Sequence, residues 1–493
     1  MWNYSVDFVD GDGYITRVFG LHQMRIIIGG AGQVGRGVAS ALRQEGRDIV
    51  LIDNDLDAIN ESQSIDCLII SGSVLSRRAL VKAGITDAEV VIMCTDSDEL
   101  NLLSCAFAKR IFSEENKSSS RRIRTIARIS DRTLLDPEVG AGPLPKWSKA
   151  DHIVCAGEEI VSRLASGLVA PAFEEAIPVH EGAYILVAEA EEGNPLVGST
   201  VKEVRETFSS LPPIIAIQTN GQPAKLEVDS HEICANDRIA FAITDLDQFR
   251  IVSSALGVPL EPIPQEPRAL VFGATAFGSE VASHYLSMGS EVVVIEPDLD
   301  LANQLVGSKV GSSKRLDVIH GDPQDEDLLK EIGMESFDVA VASMDDDNRN
   351  IAMAMQATDK GIARSGLLLK DTALVEAVKR IGLTRPVSQR QITITSILRA
   401  IHFGDLGDFS VPTSLKDLVI VLFHIDEEHP FRGITVNKAS ARLRGTMPIV
   451  FRGEGQGNSP IVPDGDMEIL EGDIVMMVLK QEHLALADEL NGG

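Results

Sequence analysis

The stretch that most constrains this chain is a glycine-rich turn between two apolar runs, within residues 24–53. The first apolar run leads into the turn GAGQVG, which starts at Gly30 and ends at Gly35, and apolar residues then recur at helical spacing. A second apolar run follows and stops at Asp53. This order predicts a strand, a tight turn, a helix and a second strand, which together form the opening unit of a doubly wound parallel sheet.

Each glycine of the turn meets a separate requirement of nucleotide binding. Gly30 permits the tight turn, Gly32 lets backbone amides approach a pyrophosphate, and Gly35 lets the helix pack closely on the strand. The helix N-terminus then presents its amides to the phosphates. Asp53 is placed to accept both hydroxyls of an adenosine ribose and would repel a 2′-phosphate, which favours NAD or another adenine nucleotide over NADP. Because strand, helix and acid all lie where the motif requires them, nucleotide binding is favoured over a purely structural turn.

The composition narrows the class of protein. A chain of 493 residues is long enough for about three or four lobes. Its aromatic content of 4% indicates an aliphatic interior, as buried parallel strands have. The formal charge of −28 and the lack of a basic stripe count against nucleic-acid binding. No charge-free apolar stretch of about 18 residues occurs, so no membrane span is expected.

The five cysteines and residues 1–23 both argue against a secreted protein. The five cysteines are odd in number, far apart and without a CxxC pair. Buried thiols in a reducing cytosol are therefore expected, rather than disulfides or a zinc site. Residues 1–23 lack a basic segment and a long apolar segment, so they are interpreted as an upstream start or a disordered tail and not as a signal peptide.

The pattern after Asp53 continues as alternating strands and helices, which predicts a doubly wound parallel sheet with its ligand at the carboxyl ends of the strands. Residues 151–176 include a largely apolar helix, which is either a core helix or a crossover that buries its face on another subunit. Shorter strands in residues 177–258 predict a small α+β lobe. The proline-rich segment 259–267 predicts a linker.

The whole arrangement then recurs. Gly30, Gly35 and Asp53 reappear 243 residues later as Gly273, Gly278 and Glu296. A second block recurs at a displacement of 249 residues: Gly72, Gly84, Asp96, Asp98 and Asn101 match Gly321, Gly333, Asp345, Asp347 and Asn350. Constant displacements over several blocks predict a tandem duplication of a two-lobed unit.

The predicted fold class is therefore α/β, with two Rossmann-like doubly wound parallel-sheet lobes, each followed by a small α+β lobe. We call these the nucleotide lobes and the small lobes. The predicted boundaries are a leader (1–23), the first nucleotide lobe (24–150), a crossover helix (151–176), the first small lobe (177–258), the linker (259–267), the second nucleotide lobe (268–387), a second crossover helix (388–408) and the second small lobe (409–493).

The second glycine turn departs from the first. Thr275 stands where Gly32 stood, and a β-branched side chain there crowds the approach of a pyrophosphate. Its acid, Glu296, is one carbon longer than Asp53. The second site therefore binds a different nucleotide, binds weakly or serves only as scaffold, and altered or lost binding is favoured.

Two such units, with the segment TDSDELN after the fourth strand and the turns NPLVGSTV and HPFRGITV in the small lobes, resemble the regulator-of-potassium-conductance (RCK) family. The nearest resemblance is to the peripheral subunits of Trk potassium-uptake systems. It implies a cytosolic homo-oligomeric gating ring, expected to be a tetramer that gives an eight-lobed ring. It also implies docking at the inner face of the plasma membrane under an integral potassium channel subunit of the TrkH or TrkG type. The implied ligands are NAD(H) and, in competition, ATP or ADP.

The resemblance also assigns site residues. The first nucleotide would be held by Gly30, Ala31, Gly32, Gln33, Val34, Gly35, Asp53, Gly72, Ser73, Thr95, Asp96 and Arg128. The second would be held by Gly273, Thr275, Phe277, Gly278, Glu296, Gly321 and Asp322. An arginine offers phosphate a forked donor, and Lys370 is the expected counterpart of Arg128 in the second half.

Structural alternatives stand beside several of these residues. Arg128 could be salt-bridged at the end of the sheet. The acidic groups at Asp96, Asp98 and Glu99, and at residues 345–347, are interpreted as helix N-terminal residues in preference to metal ligands.

Three functions follow from this pattern. The first is a non-catalytic, nucleotide-sensing regulator of a potassium channel. The second is an NAD-dependent dehydrogenase, since the same fold hosts hydride transfer. No histidine, lysine or cysteine stands in a recognisable catalytic setting, which demotes this hypothesis. The third is the same sensor serving another cation transporter.

Overall fold

The computed structural model describes residues 6–9, 15–18, 25–116, 121–135, 144–169, 173–180, 182–219, 221–245, 247–257, 264, 266–382, 385–402, 409–410, 412, 414–415, 417–453 and 459–483. The chain divides into two compact units, residues 1–129 with 133–154 and residues 130–132 with 155–493. In the expected leader, β1 (Val6–Val9) and β2 (Ile15–Val18) form an antiparallel pair. Most of the expected linker lies outside the described residues.

The first nucleotide lobe has a six-stranded sheet with helices between its strands. Its elements are β3 (Arg25–Gly29), α1 (Gln33–Gln44), β4 (Asp48–Asp53), α2 (Leu56–Glu61), β5 (Leu68–Ser71), α3 (Arg77–Lys82), β6 (Ala88–Met93), α4 (Asp98–Glu115), β7 (Arg124–Ile129), α5 (Leu144–Ser148) and β8 (His152–Cys155). The strand order is β5-β4-β3-β6-β7-β8, with β3 paired in parallel to both β4 and β6. The order reverses direction beside β3, so the crevice at the carboxyl ends of β3 and β6 is where such sheets bind ligands.

The first small lobe follows. It consists of α6 (Gly157–Val169), β9 (Glu175–His180), β10 (Ala183–Glu189), α7 (Val201–Thr207), β11 (Ile214–Thr219), β12 (Asp237–Ile243) and α8 (Asp247–Ala255). Its four strands form one sheet in the order β11-β12-β10-β9, and every pairing is antiparallel. Antiparallel strands replace the regular alternation of parallel strands and helices, which explains the change in sequence texture after the first nucleotide lobe.

The second half repeats this plan. Its nucleotide lobe consists of β13 (Ala269–Phe272), α9 (Ala276–Ser287), β14 (Val292–Glu296), α10 (Leu299–Gly307), β15 (Leu316–His320), α11 (Glu326–Glu331), β16 (Val339–Ala342), α12 (Asp347–Asp359), β17 (Arg364–Leu369), α13 (Thr372–Ile381), β18 (Arg385–Ser388) and α14 (Gln389–His402). The sheet order β15-β14-β13-β16-β17-β18 is the order of the first sheet, and its strands are parallel. The expected duplication of a doubly wound lobe is confirmed.

The second small lobe contains β19 (Phe409–Ser410), β20 (Leu418–His424), α15 (Val436–Leu443), β21 (Thr446–Arg452), β22 (Ser459–Ile461) and β23 (Ile474–Lys480). They form an antiparallel five-stranded sheet. One face of this sheet shares a hydrophobic core with the first small lobe, in which Ile185 and Ala240 meet Ile420, Phe451 and Met476. The small lobes of one chain therefore pack as a pair, which buries sheet faces that would otherwise be open to water.

Helix α6 settles one of the alternatives left open by the sequence. Ile160, Leu164 and Leu168 lie in the same core cluster as Val341 and Leu368 of the second nucleotide lobe. The apolar face of the helix is therefore covered by the second half of the same chain, as the core-helix interpretation requires. Burial of several aliphatic side chains, each contributing about 1.5–3 kcal/mol, accounts for the low charge of this segment.

Candidate nucleotide site

The turn after β3 has the geometry that its glycines predict. Gly30 has φ +102°, and a Cβ there would lie 2.9 Å from the carbonyl carbon of Cys94. A Cβ at Gly35 would overlap the carbonyl oxygen of Gly30. A Cβ at Gly32, in contrast, would meet no protein atom within 4 Å. Packing within the protein thus explains Gly30 and Gly35, whereas the bare face of Gly32 is open for a ligand to approach.

Asp53 holds this turn in place from the end of β4. Its Oδ2 accepts a hydrogen bond from the amide of Ala31 at 2.5 Å, and its Oδ1 accepts one from the amide of Asp55 at 2.9 Å. Each carboxylate oxygen has a second lone-pair site, so the group can still accept ribose hydroxyls. The carboxylate therefore positions the loop as well as being a candidate ligand contact, a role that the motif spacing alone did not show.

The opposite wall comes from the ends of β6 and β7, where Asn101 joins the two strands. Its Oδ1 accepts hydrogen bonds from the amide and the hydroxyl of Thr95, at 2.8 and 2.7 Å. Its Nδ2 donates to the carbonyl oxygens of Thr95 and Arg128, both at 3.0 Å. Asn101 is fully buried. Sequence reasoning noted its recurrence at Asn350 but assigned it no role, although recurrence at a constant displacement was the available signal.

Three charged residues of the candidate site influence one buried thiol, that of Cys94. Burial raises the pKa of Cys94 to about 12, with the carboxylates of Asp53 and Asp96 acting in the same direction and Arg128 opposing them. The Cys94 Sγ lies 3.8 Å from the carbonyl oxygen of Gly30. Asp53, Asp96 and Arg128, far apart in the sequence, are thus brought close enough to act on the same atom.

The remaining predicted residues of the first site have local roles. The amide of Gly72 donates to the carbonyl oxygen of Asp53 at 2.7 Å, which joins the ends of β4 and β5. The hydroxyl of Ser73 accepts from the amide of Leu75 at 3.2 Å. Gln33 and Val34 form the first turn of α1, where their amides lie at the open end of the helix.

Sequence reasoning missed Arg36. Its Nη1 donates to the carbonyl oxygen of Ala31 at 2.8 Å, and its Nη2 lies 2.5 Å from Glu61. Arg36 therefore ties the glycine turn to helix α2.

The second turn keeps the backbone of the first but changes its chemistry. Thr275 has φ −59° and ψ 172°, close to the φ −64° and ψ −174° of Gly32. Its hydroxyl donates to the carbonyl oxygen of Ser343 at 2.7 Å and accepts from the amide of Gly278 at 3.2 Å. No side chain caps the helix at Gly32. In the second half, an amide of the kind that would hold an anion is already bonded to Thr275.

The acid of the second site reproduces the contacts of Asp53. Glu296 accepts from the amide of Ala274 at 2.5 Å and from that of Asp298 at 2.8 Å. It is 3% exposed. The amide of Gly321 donates to the carbonyl oxygen of Glu296 at 3.0 Å, as Gly72 does to Asp53. The loop-positioning role of the acid is therefore common to both halves.

The expected match of Arg128 with Lys370 is wrong. Met93 and Ala342 are equivalent, because they are separated by the 249 residues at which this block recurs. Strand pairing places Ala127 opposite Met93 and Leu367 opposite Ala342, so the next residues, Arg128 and Leu368, are also equivalent. The same pairing follows from Asn350, whose Nδ2 donates to the carbonyl oxygen of Leu368 at 3.0 Å. The error arose because the strand-end spacing differs between the halves, and sequence alone did not reveal that shift.

Lys370 itself pairs with Asp345 at 3.1 Å. Leu368, at the position of Arg128, is fully buried in the core that includes α6. Of the other residues expected at the second site, Phe277 packs against this core, and Asp322 pairs with Arg349 at 2.9 Å. The second half therefore has an aliphatic residue where the first has its guanidinium.

The acidic clusters act as helix N-terminal residues. Ser97 caps α4 by accepting from the amide of Leu100, with Asp98 and Glu99 in the first turn. Asp346 caps α12 through the amide of Arg349, and Asp347 accepts from the amides of Lys370 and Asp371. Within the described residues, no three histidine, cysteine or acidic side chains are grouped so as to hold a metal ion.

None of the helices in the described part of the chain is both long and apolar enough to cross a membrane.

All five cysteines are free thiols. Cys94 and Cys105 are buried as expected, whereas Cys67 and Cys155 are half-buried and Cys234 is exposed.

Known proteins share the duplicated nucleotide lobe of this chain. The model of the TrkA-N domain matches twice, at residues 26–138 and 269–389. The Trk system potassium uptake protein TrkA of Vibrio alginolyticus is 26% identical over 95% of this chain and 98% of its own length. That of Halomonas elongata is 28% identical over the same shares of the two chains. The archaeal TrkA homolog of Archaeoglobus fulgidus is 22% identical over 95% of this chain and its full length.

Solved structures show the same fold. The GsuK RCK domain superposes with a TM-score of 0.53 at 13% identity and covers 99% of this chain and 97% of its own. The GsuK channel bound to NAD gives the same score and identity, over 99% of this chain and 81% of its own. The resemblance indicated by the sequence motifs is thereby confirmed: the chain is similar to the TrkA proteins over nearly its whole length, matches the TrkA-N domain model twice and has the fold of RCK domains.

Proposed function

We propose that this chain is the nucleotide-sensing regulatory subunit of a potassium-uptake system, and that it binds NAD(H) at the first site without transforming it. The observation that carries the proposal is the open face of Gly32 in a turn held by Asp53, with Arg128 at the carboxyl end of β7, where its Nη1 donates to the carbonyl oxygen of Thr95 at 3.4 Å. It combines uncapped helix amides, a carboxylate for the ribose and a guanidinium for the phosphates. The relatives that match nearly the full length are named as potassium uptake proteins, and a protein of the same fold has been solved with NAD.

ATP or ADP would compete for the same site, because the contacts with ribose and phosphate are common to all adenine nucleotides. The second site serves as scaffold. Thr275 occupies a helix amide, and Leu368 replaces the guanidinium. Anionic ligands lose both of their main contacts there.

The ligand would act by favouring one of two shapes of a cytosolic homo-oligomer, proposed as a tetramer, at the inner face of the plasma membrane. The proposed partner is an integral potassium channel subunit of the TrkH or TrkG type.

Affinity capture of the full chain from native membranes, with and without NADH, tests the proposal. An integral potassium channel subunit is expected to co-purify, and the yield is expected to depend on NADH for the wild type but not for Asp53→Ala. Capture of a different cation transporter would reassign the ion. Turnover of NADH with a carbonyl compound at enzymatic rates would contradict the regulatory role.

A further inference from the structure

Arg36 gives the first glycine turn a contact that the sequence of the second turn does not allow. It lies on α1, directly after the third glycine of the turn, and its side chain is 19% exposed. Its Nη1 donates to the carbonyl oxygen of Ala31 at 2.8 Å, and its Nη2 lies 2.5 Å from Glu61 of α2. At the displacement of 243 residues, Arg36 corresponds to Ser279. The short, uncharged side chain of serine cannot form such a bridge.

Two side chains of opposite charge hold the backbone of Ala31 in the first turn. The amide of Ala31 donates to Asp53 Oδ2 at 2.5 Å, and its carbonyl oxygen accepts from Arg36 at 2.8 Å. In the second turn, the amide of Ala274 donates to Glu296 at 2.5 Å. The contact with the acid is therefore common to both turns, and the guanidinium is what the first turn adds.

The bond to the Ala31 carbonyl determines the direction of the next amide. The peptide unit that joins Ala31 to Gly32 is trans. A trans peptide unit is planar, so its C=O and N–H point in opposite directions. Because Arg36 holds the C=O of this unit, the N–H of Gly32 points away from the guanidinium.

The N–H of Gly32 is available to a ligand. Within the described residues, no protein group accepts a hydrogen bond from it. A Cβ on Gly32 would meet no protein atom within 4 Å, so this part of the turn is open. The carbonyl of the same peptide unit already accepts from a guanidinium, and hydrogen bonds at the two ends of a peptide unit strengthen each other. The turn thus offers one oriented and polarised donor.

We propose that Arg36 is a positioning residue of the first nucleotide site, and that Glu61 holds its guanidinium in place. This role rests on the proposed binding of NAD(H) at the turn: the Gly32 amide donates to a pyrophosphate oxygen, and Arg36 acts through the backbone without touching the ligand. A donor that is oriented before binding costs less conformational freedom when the nucleotide arrives. Ser279 leaves the second turn without this support, in accord with the scaffold role proposed for it.

Arg36→Ser, which introduces the residue of the second turn, tests the proposal, with Arg43→Ser as its matched control. Arg43 is on the same helix and makes the same kinds of contact: its Nη1 donates to the carbonyl oxygen of Arg47 at 2.7 Å, and its Nη2 lies 2.5 Å from Asp66. Each change removes one positive charge. Isothermal titration of the full chain is expected to show NADH affinity lowered by about tenfold in Arg36→Ser, because a hydrogen bond to a charged group is weakened. The affinity of Arg43→Ser is expected to equal that of the wild type.

Ionic strength separates positioning from direct attraction. A guanidinium that attracted the phosphates through solvent would lose its influence as salt is added, because exposed charges are screened. The ratio of the wild-type affinity to that of Arg36→Ser is therefore expected to be the same at low and high salt. Arg36→Lys keeps a donor for the Ala31 carbonyl and is expected to restore part of the affinity. Glu61→Gln is expected to cause a smaller loss than Arg36→Ser.

Hydrogen exchange in the nucleotide-free chain distinguishes this role from the proposed function. Exchange of the Ala31 amide is expected to be faster in Arg36→Ser and unchanged in Arg43→Ser, because release of the carbonyl loosens the turn. Equal NADH affinities of the two variants, an affinity ratio that falls with salt, or equal exchange would each overturn the role of Arg36. Absence of NADH binding by the wild type would contradict the proposed function and the ligand contact, while exchange would still show whether Arg36 orders the turn.

Discussion

Thr275 and Gly32 show how one side chain changes what a helix end offers to an anion. Both residues have nearly the same backbone angles, so the fold of the turn tolerates either. The threonine hydroxyl accepts the hydrogen bond of the Gly278 amide, and the glycine leaves its helix uncapped. A helix end can therefore lose an amide that an anion would need through a local change in hydrogen bonding, without a change in fold.

Gly32→Thr is expected to lower the affinity of the first site for NADH by at least about tenfold, because a hydrogen bond to a charged phosphate is lost. A Cβ at Gly32 meets no protein atom within 4 Å, and Thr275 has nearly the same backbone angles in the second turn, so the protein should fold normally. Calorimetry checks the affinity, with Thr275→Gly as a control that should leave first-site binding unchanged. NADH affinity equal to that of the wild type in Gly32→Thr would show that the phosphates do not approach this turn.

Cys94 is expected to resist alkylation although it lies beneath the glycine turn. Burial raises its pKa to about 12, so at pH 8 only about one molecule in ten thousand carries the thiolate. The thiolate fraction rises with pH, but it stays small below pH 10. Cys234 is exposed and should react first. Mass-spectrometric mapping after iodoacetamide treatment measures both rates, and equal rates would contradict the described burial.

At the level of secondary-structure elements, a buried asparagine joins the carboxyl ends of two neighbouring strands in each nucleotide lobe. Asn101 joins β6 to β7, and Asn350 joins β16 to β17 through the carbonyl oxygens of Met344 and Leu368. Parallel strands have no hairpin turn at this edge, so these side-chain hydrogen bonds continue the connection between the two strands past the end of their backbone ladder. The two asparagines give a matched pair for separating structure from binding.

Asn101→Ala and Asn350→Ala should each destabilise their own compact unit by roughly 2–4 kcal/mol, since several buried groups lose their partners. Scanning calorimetry should show a lowered transition in each variant. Only Asn101→Ala should also weaken NADH binding, because Asn101 bonds to Thr95 and Arg128, two residues of the proposed first site. Equal effects of the two variants on NADH affinity would argue that the sites are equivalent.

The sequence predicted the order of strands and helices well because glycine turns and aliphatic strands leave strong local patterns. It also predicted correctly that β4 ends at Asp53. It did not predict that Leu368 occupies the position equivalent to Arg128. The chain between α12 and the end of β17 differs in length from its counterpart in the first half, so only the sheet register reveals the match. The sequence could not show whether the Thr275 hydroxyl caps helix α9 or whether its methyl group only crowds the approach to the turn.

At the scale of the whole molecule, duplication has produced two lobes of one fold with different chemistry. Both keep the acid that positions the turn and the asparagine that joins the strands. Only the first keeps the uncapped helix end and the arginine. The paired small lobes lie within the second compact unit, together with the nucleotide lobe whose helix end is capped by Thr275.

The stoichiometry of NADH binding tests the central claim most directly. Isothermal titration of the purified full chain is expected to give one NADH per chain, with that single binding event abolished or strongly weakened in Gly32→Thr. Two equivalent NADH molecules per chain, or one that survives Gly32→Thr unchanged, would contradict the assignment of nucleotide sensing to the first site.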